Sequence, residues 1–184
     1  MKTIWLIVMS LTVSIGAADK AGQPDMPRTV TESFDRSVSS AESALLRVAV
    51  AMPEDKYNFA PVNGEFKGVR TFAQMVKHVA VDQYVDAAAL LKEKTPIDPG
   101  THMNGPDSIR TKAEILKFLQ DGFTYMHRAI HTVNQKNLME LVKFDQVNIP
   151  RLSIVSSAIS HPWDHYGQLI EYLRMNGIDP QAQY

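Results

Sequence analysis

The sequence predicts an all-α protein in which four long helices form a bundle. Its 184 residues are enough for one domain with a sizeable core. Four segments, each of roughly twenty residues, carry apolar side chains at the three- and four-residue steps of a helix. Loops that contain proline and glycine separate these segments, and we find no alternating pattern that would indicate a β-strand. Such helices bury their apolar faces most simply against one another, which favours a four-helix bundle.

The first two helices are defined by an apolar face and by their ends. The first spans residues 31–52 and ends before Pro53, because proline cannot continue a helix. The second spans residues 71–94 and begins at a capping box of Thr71 and Gln74, in which each side chain binds the backbone N–H of the other residue. Because this segment is apolar on nearly every side, we expect it to lie at the centre of the bundle.

The third and fourth helices are bounded in the same way. The third begins at Thr111, which opens a second capping box. The fourth lies within residues 151–176 and ends at Gly177, a residue type typical of helix C-termini. Pro162 falls inside this fourth pattern, where it removes one backbone hydrogen bond. We therefore expect a kink there, or a restart of the helix with Ser160 as its cap.

The N-terminus has the order of parts of a secretory signal peptide. Lys2 supplies a positive charge, residues 4–15 form a nearly uncharged apolar run, and small residues follow it. We assign residues 1–18 to a signal peptide, residues 19–30 to a flexible lead-in and residues 31–180 to the bundle. The alternative is an uncleaved N-terminal anchor. Cleavage predicts a periplasmic or secreted protein with no stable membrane span.

Composition excludes several classes of function. The chain has no cysteine, which rules out thiolate catalysis, disulfide scaffolds, iron–sulfur clusters and cysteine-ligated zinc. Any metal site must therefore use histidine, aspartate, glutamate and water. The net charge is −1 and no basic stripe is present, so we do not expect nucleic acid as a partner. The expected partner is an unknown small-molecule ligand, and assembly into a homodimer stays open.

Histidine is the residue type that points to chemistry. Two pairs have the H-x-x-x-H spacing that places two imidazoles one helical turn apart, within reach of one metal ion. His161 and His165 lie along the centre of the buried stripe of the fourth helix, whereas His127 and His131 lie toward the border of the third. Buried imidazoles need partners, so the first pair either shares a metal ion or consists of core histidines bonded to carbonyls and waters. We expect the second pair to be a solvated or boundary pair.

Spacing does not decide which residue completes such a site. His78 on the second helix and His127 on the third are both candidates, because the all-round apolar second helix hides the direction in which His78 points. Two further polar residues lie one turn from candidate ligands and are candidate catalytic residues. Asp82 could act as a base or orient a ligand, or it is a surface carboxylate. Gln168 could bind a ligand, or it ties helix ends together.

Two stretches of the chain carry recognisable motifs. The C-terminal stretch, residues 161–180, reads H-x-x-x-H-x-G-Q followed by Y-L-R-x-N-G, a combination that is specific although neither half is. The upstream stretch consists of residues 57–61, 70–72 and 77–80. The first resembles the C-terminal signature of the DinB-like (YfiT-like) superfamily and the second its second-helix motif, and the match covers residues 33–180.

The resemblance implies a four-helix bundle with a metal site of three histidines. The ligands would be His78, His161 and His165, and the metal zinc or nickel, with water in the open coordination positions. Some relatives are thiol-dependent S-transferases or isomerases that use a small cytosolic thiol, and many have no known activity. The chain departs from them in its export signal, which separates it from the cytosolic thiol pool, and in Pro162, which lies between two of the ligands.

We therefore expect an exported DinB-like protein that binds one divalent metal ion. In the first hypothesis it is a metal-dependent transferase or hydrolase of unknown substrate that uses a metal-bound water or thiol. In the second it is a non-catalytic periplasmic module that holds metal or a small ligand. In the third it is an interaction protein whose metal only locks the bundle. A site with a fourth protein ligand would favour a structural metal, whereas an open position would favour an enzyme.

Overall fold

Residues 26–65 and 67–180 are described by the computed structural model of the protein. They form four α-helices and a two-stranded antiparallel sheet: α1 (Val30–Ala51), α2 (Phe72–Leu91), α3 (Lys112–Ile130), β1 (Leu141–Phe144), β2 (Val147–Pro150) and α4 (Arg151–Met175). The predicted signal peptide, residues 1–18, and most of the predicted lead-in, residues 19–30, lie outside the described residues. Within the described ranges, no helix has both the length and the apolar character needed to span a membrane.

The helices begin and end at the residues that capping chemistry predicts. In the capping box at the start of α2, Thr71 Oγ1 accepts from the Gln74 backbone N–H at 3.2 Å, and Gln74 Oε1 accepts from the Thr71 N–H at 2.9 Å. An equivalent box starts α3 at Thr111. A third box, at Thr29, starts α1 one residue before the predicted bound. After α4, Gly177 adopts φ = 72°, the left-handed conformation expected of a helix stop.

The second and third helices run parallel. A Cβ on Gly122 of α3 would lie 3.0 Å from the carbonyl oxygen of Ala80 on α2, so the two backbones approach closely near the middle of both helices. Further along, Glu93, just beyond α2, forms an ion pair with Arg128 near the end of α3. Parallel neighbours need a connection that returns along the whole bundle, which explains the long crossover of residues 92–111.

The fourth helix runs antiparallel to α2. The Tyr172 hydroxyl, near the end of α4, donates to the Arg70 carbonyl just before α2 at 2.9 Å. In its first half α4 contacts the middle of α2, where Gln83 Nε2 donates to the Ala158 carbonyl at 3.1 Å. The first helix packs against α3 and α4, and α2 packs against the same two helices. This arrangement places α2 beside both H-x-x-x-H helices.

The core confirms the central position of α2. Fifteen of its twenty residues are buried, as the apolar character of the segment on nearly every side predicts. The largest fully buried side chains come from all four helices. They are Leu45, Phe72, Leu90, Ile115, Leu119, Phe123, Met126, Ile130, Ile154, Leu169 and Leu173, together with Met52 after α1. The prediction of a mostly helical protein with four helices is therefore confirmed.

The β-hairpin corrects the prediction that the chain contains no strand. Strands β1 and β2 pair from Leu141 with Pro150 to Phe144 with Val147, and two residues connect them. The strands have four residues each, and Val142 is the only one of these residues that is buried. Such short strands with a single inward side chain do not produce the repeated alternation by which a sequence indicates a strand.

Candidate metal centre

Three imidazole rings meet between α2 and α4. His78 lies on α2, and His161 and His165 lie one turn apart on α4. The ring centroid of His78 is 5.1 Å from that of His161 and 4.9 Å from that of His165, and the α4 pair is 4.4 Å apart. Each ring offers one nitrogen atom, and these three atoms all lie within 4.8 Å of one another. The three histidines are therefore positioned to bind a single metal ion.

The orientation of His78 is fixed by the crossover loop. Its Nδ1 lies 3.0 Å from the backbone carbonyl oxygen of Met103. A carbonyl oxygen can only accept a hydrogen bond, so Nδ1 carries the proton and donates it. The lone pair of the neutral ring is then on Nε2. Histidines that bind metal commonly have this arrangement, with the second ring nitrogen bonded to a carbonyl or a carboxylate.

A short chain of side chains orients His165 in the same way. The Asp164 carboxylate accepts a hydrogen bond from Gln168 Nε2 at 3.0 Å, which turns the amide oxygen of Gln168 toward the ring. That oxygen lies 3.4 Å from His165 Nδ1, and Nε2 on the other side of the ring lies 2.8 Å from His161 Nε2. In this arrangement Gln168 contacts the nitrogen that faces away from the other histidines, and it acts as a positioning residue.

The Asp82 carboxylate lies between histidines of the two helices. Its Oδ2 is 3.2 Å from His78 Nε2 and 3.1 Å from His161 Nδ1. The second contact is short but is not aligned as a hydrogen bond. The buried Nδ1 of His161 therefore has no hydrogen-bond partner among the described residues. A buried nitrogen without a partner costs free energy unless some other group satisfies it.

Three neutral imidazoles have too few N–H protons to form hydrogen bonds between all the nitrogen and oxygen atoms that face one another in this site. His78 and His165 each hold their proton on Nδ1, so only the proton of His161 remains for the facing nitrogens. Without a cation, lone pairs and a carboxylate oxygen would face one another at separations between 2.8 and 3.2 Å. A divalent cation would accept these lone pairs together. Because imidazole nitrogen is a preferred ligand of zinc and nickel, the donor set fits such an ion.

Burial keeps the three rings neutral. It lowers the pKa of His78 and of His161 to about 4, and it also lowers the pKa of His165. The positive charge of Arg70 acts in the same direction on all three pKa values. Burial raises the pKa of the Asp82 carboxyl to about 6, against the opposing charge of Arg70. Neutral imidazoles have the free lone pairs that metal binding requires, so little proton release is needed near pH 7.

One side of the site is open. The side chains of His161 and Asp82 are 28% and 23% exposed, whereas that of His78 is 11% exposed. In the part of the chain that the structure describes, no fourth residue belongs to the group of ligand-type side chains. Three protein ligands with an accessible fourth position are typical of catalytic zinc, whereas structural zinc is usually enclosed by four.

Pro162 is accommodated by a residue that the sequence analysis did not single out. Helix α4 continues without interruption through Pro162, so the predicted restart at Ser160 is not observed. The missing N–H of Pro162 leaves the carbonyl oxygen of Ala158, four residues earlier, without its helical partner. Gln83, which is fully buried on α2, donates to this oxygen at 3.1 Å. The hydrogen bond ties α2 to α4 within two turns of the ligands on both helices.

The other histidines lie outside this site. His127 Nδ1 is 2.6 Å from Asp35 Oδ1, and its Nε2 is 3.3 Å from Glu42 Oε2, so α1 carboxylates engage both nitrogens. His131 is 66% exposed, and His102 lies exposed in the crossover loop. Of the two candidates for the third ligand, the structure therefore brings His78, and not His127, to the α4 pair.

The sequence analysis missed two contacts at the site. The Met103 carbonyl that fixes His78 belongs to the backbone, and only Gly100 and Gly105 hinted that the loop around it turns tightly. Gln83 had a clearer signal. A proline inside a helix frees the carbonyl four residues earlier, and a polar residue on a helix that is otherwise apolar is a candidate donor for it.

Comparisons with known proteins show the family and agree with the fold. The model of the DinB superfamily matches residues 38–169. A DinB-like protein from Bacillus cereus ATCC 10987 has a similar structure, with a TM-score of 0.64, 15% identity, and coverage of 83% of this chain and 96% of that one. A conserved protein from Enterococcus faecalis has a TM-score of 0.65, 14% identity, and coverage of 80% and 97%. A search of curated proteins finds no match. The family model covers well over half of the sequence, and the chain therefore belongs to the DinB superfamily.

Proposed function

We propose that this protein is an exported DinB-like metalloenzyme that acts as a hydrolase or transferase on a small molecule. In this proposal His78, His161 and His165 bind one divalent ion, zinc or nickel. The single observation that carries the proposal is the convergence of three neutral imidazoles whose lone pairs lack protons to satisfy them. The signal-like order of parts in residues 1–18 supports export to the periplasm or the medium.

The open side of the site supports a catalytic role over a purely structural one. A divalent ion on three imidazoles lowers the pKa of a bound water or thiol toward neutrality and so supplies a nucleophile. The carboxylate of Asp82 faces two of the three ligands from the partly exposed side. In the proposed reaction Asp82 holds or accepts the proton of the nucleophile, since its Oδ2 lies 3.2 and 3.1 Å from nitrogens of two of the ligands.

The first experiment tests the ligand set. Elemental analysis of the full-length protein, expressed with its leader and purified from the periplasm, should find close to one zinc or nickel ion per chain. The variant His78→Ala should lose that ion, because two imidazoles alone do not complete the site. His127→Ala is the matched control, since it removes the other candidate third ligand, and it should keep the ion. Full occupancy in His78→Ala would overturn the proposed site.

The same samples separate an enzyme from a binding module. An activated ester tests for hydrolysis, and a low-molecular-weight thiol with an alkylating electrophile tests for transfer. We expect the loaded protein to turn over one of them, and Asp82→Asn to reduce the rate by about 100-fold or more while it keeps the metal. If loaded wild-type protein is no faster than His78→Ala in either assay, the non-catalytic hypothesis of a metal- or ligand-binding module replaces the enzyme.

The intact mass of the purified protein tests the proposed export. A mass that corresponds to residues 19–184 would support export, and one that corresponds to residues 1–184 would contradict cleavage.

A further inference from the structure

We propose that the ligand of this site carries an oxyanion group, a carboxylate or a phosphate, and that Arg70 binds it. This inference rests on the proposed function, because it names the substrate class of the same metal site. Arg70 directly precedes Thr71, the residue that caps α2. Its backbone carbonyl accepts the hydrogen bond from the Tyr172 hydroxyl, which ties its position to α4 as well. Arg70 is therefore anchored to both helices that supply the histidines.

Arg70 is the cation that acts on the whole site. Its charge shifts the pKa of each of the three histidines and that of Asp82. Its guanidinium is held by two neutral acceptors of the crossover loop. Nε donates to Asn104 Oδ1 at 2.8 Å, and Nη2 donates to the His102 carbonyl at 3.0 Å.

The guanidinium has donors left for a ligand. Arginine has five N–H donors in a planar fork, and the two hydrogen bonds to the loop use two of them. Among the described residues, no carboxylate forms an ion pair with Arg70. A fixed cation with unused, coplanar donors is the arrangement that recognises carboxylate and phosphate through paired hydrogen bonds.

The crossover loop places Arg70 and His78 as one unit. The three consecutive residues His102, Met103 and Asn104 provide the acceptors for both side chains. His102 and Met103 adopt φ = 56° and φ = 60°, conformations that non-glycine residues rarely occupy. Such backbone strain costs on the order of 1–3 kcal/mol per residue and persists where the surroundings fix it, often at binding sites.

The loop is also closed tightly by glycine. A Cβ on Gly100 would lie 2.1 Å from the Gly105 carbonyl oxygen, so no other residue fits at this position. The strained residues between these two glycines therefore have little freedom to move. The fork of Arg70 is fixed relative to the imidazole of His78, as recognition of a ligand that spans both groups requires.

The charges of the site favour an anion. A divalent ion on three neutral imidazoles and Arg70 would together bring three positive charges, whereas among the described residues two carboxylates, Asp82 and Asp164, act on the histidines. Positive charge therefore predominates at the open side. A half-buried, positively charged site concentrates anionic ligands and disfavours cationic ones. A neutral ligand would leave the donors of Arg70 to water.

The test measures binding and does not require the substrate. Zinc-loaded full-length protein is titrated by calorimetry with inorganic phosphate, with acetate, and with acetamide as a neutral molecule of similar size to acetate. We expect at least one oxyanion to bind and acetamide not to bind. Arg70→Gln should weaken oxyanion binding by about tenfold or more, since hydrogen bonds between charged groups are the strong ones. Arg70→Lys keeps the charge without the fork and should lie in between. Phosphate and acetate together distinguish the two oxyanion classes.

Arg110→Gln is the matched control. Arg110 lies at the end of the same crossover, is exposed and donates to the Asp107 carbonyl, and its replacement should leave oxyanion binding unchanged. Unchanged oxyanion affinity in both Arg70 variants, with one zinc per chain, would overturn this inference and leave the metal site standing. Equal binding of acetamide and acetate would also overturn it. Loss of zinc from wild-type protein would instead overturn the proposed function, and this inference with it.

Discussion

The two H-x-x-x-H pairs have the same spacing and different surroundings. On α4, His161 and His165 face His78, and their nitrogens meet with too few protons to satisfy them. On α3, His127 lies between two carboxylates of α1, and His131 is 66% exposed. The spacing gives either pair the geometry to share an ion. What separates them is whether another element provides hydrogen-bond acceptors or a third imidazole.

The partners account for this difference, since the side chains of His127 and His161 are similarly exposed, at 22% and 28%. The carboxylates that contact His127 are partly exposed, with 31% for the Asp35 side chain and 25% for Glu42, so they are hydrated and available as acceptors. The α4 pair faces the interior, where burial lowers the pKa of His161 to about 4 and keeps the ring neutral. A ring whose nitrogens contact carboxylates and solvent has hydrogen-bond partners without a metal, whereas rings whose facing nitrogens lack protons are satisfied by a shared metal ion.

Replacement of one histidine from each pair by alanine should produce the largest difference in the stabilisation that zinc provides. His165→Ala removes a ligand, and His131→Ala removes a solvated ring at the same position of the other pair. For wild-type protein, zinc at 100 times its Kd should raise the free energy of unfolding by about 2.7 kcal/mol. His131→Ala should keep this increase and His165→Ala should lose it. Urea unfolding with zinc and with chelator measures both, and equal behaviour of the variants would contradict the distinction.

The sequence predicted the four helices, the starts of α2 and α3, the end of α4 at Gly177, and all three histidines of the cluster. The α2 and α3 starts were predictable because capping boxes are local, and the histidines because a specific family pattern contains them. The direction of α3 was not, since the length of a loop does not reveal that it returns along the bundle. Neither was the role of Met103, because any residue at that position offers the same carbonyl oxygen to His78.

A buried carboxylate on α2, Asp86, should give the next largest effect. Asp86, one turn beyond Asp82, is 4% exposed, and burial, followed by the charge of Asp82, raises its pKa from 3.8 to about 8. The folded state thus keeps a proton that the unfolded chain releases. The free energy of unfolding should therefore fall as pH rises from about 4 to about 8, at up to about 1.4 kcal/mol per pH unit.

Asp86→Asn tests this contribution, because an amide does not titrate. In chelator-treated protein, the variant should show a flatter dependence of unfolding free energy on pH between 6.5 and 8, above the ordinary pKa of the histidines. Between pH 6.5 and 8, the free energy of unfolding should fall by about 1–2 kcal/mol more in the wild type than in Asp86→Asn. Asp35→Asn is the control from the other pair, since Asp35 is 31% exposed. Identical slopes for wild type and Asp86→Asn would show that Asp86 is ionised in the folded protein.

The smallest effect concerns Pro162, which distinguishes the three-residue spacers between the histidines of the two pairs. Pro162 lies within the α4 pair, whereas the α3 spacer, residues 128–130, has no proline. Gln83→Leu removes the donor to the carbonyl that Pro162 leaves free and should destabilise the protein by about 1–2 kcal/mol. In a Pro162→Ala background, the alanine N–H can bond to Ala158 itself, so the same Gln83→Leu change should cost about 1 kcal/mol less. Urea unfolding of the four proteins of this cycle, all without metal, measures the coupling. Additive effects would mean that Gln83 does not compensate for the proline, and that helix α4 tolerates it between the ligands for another reason.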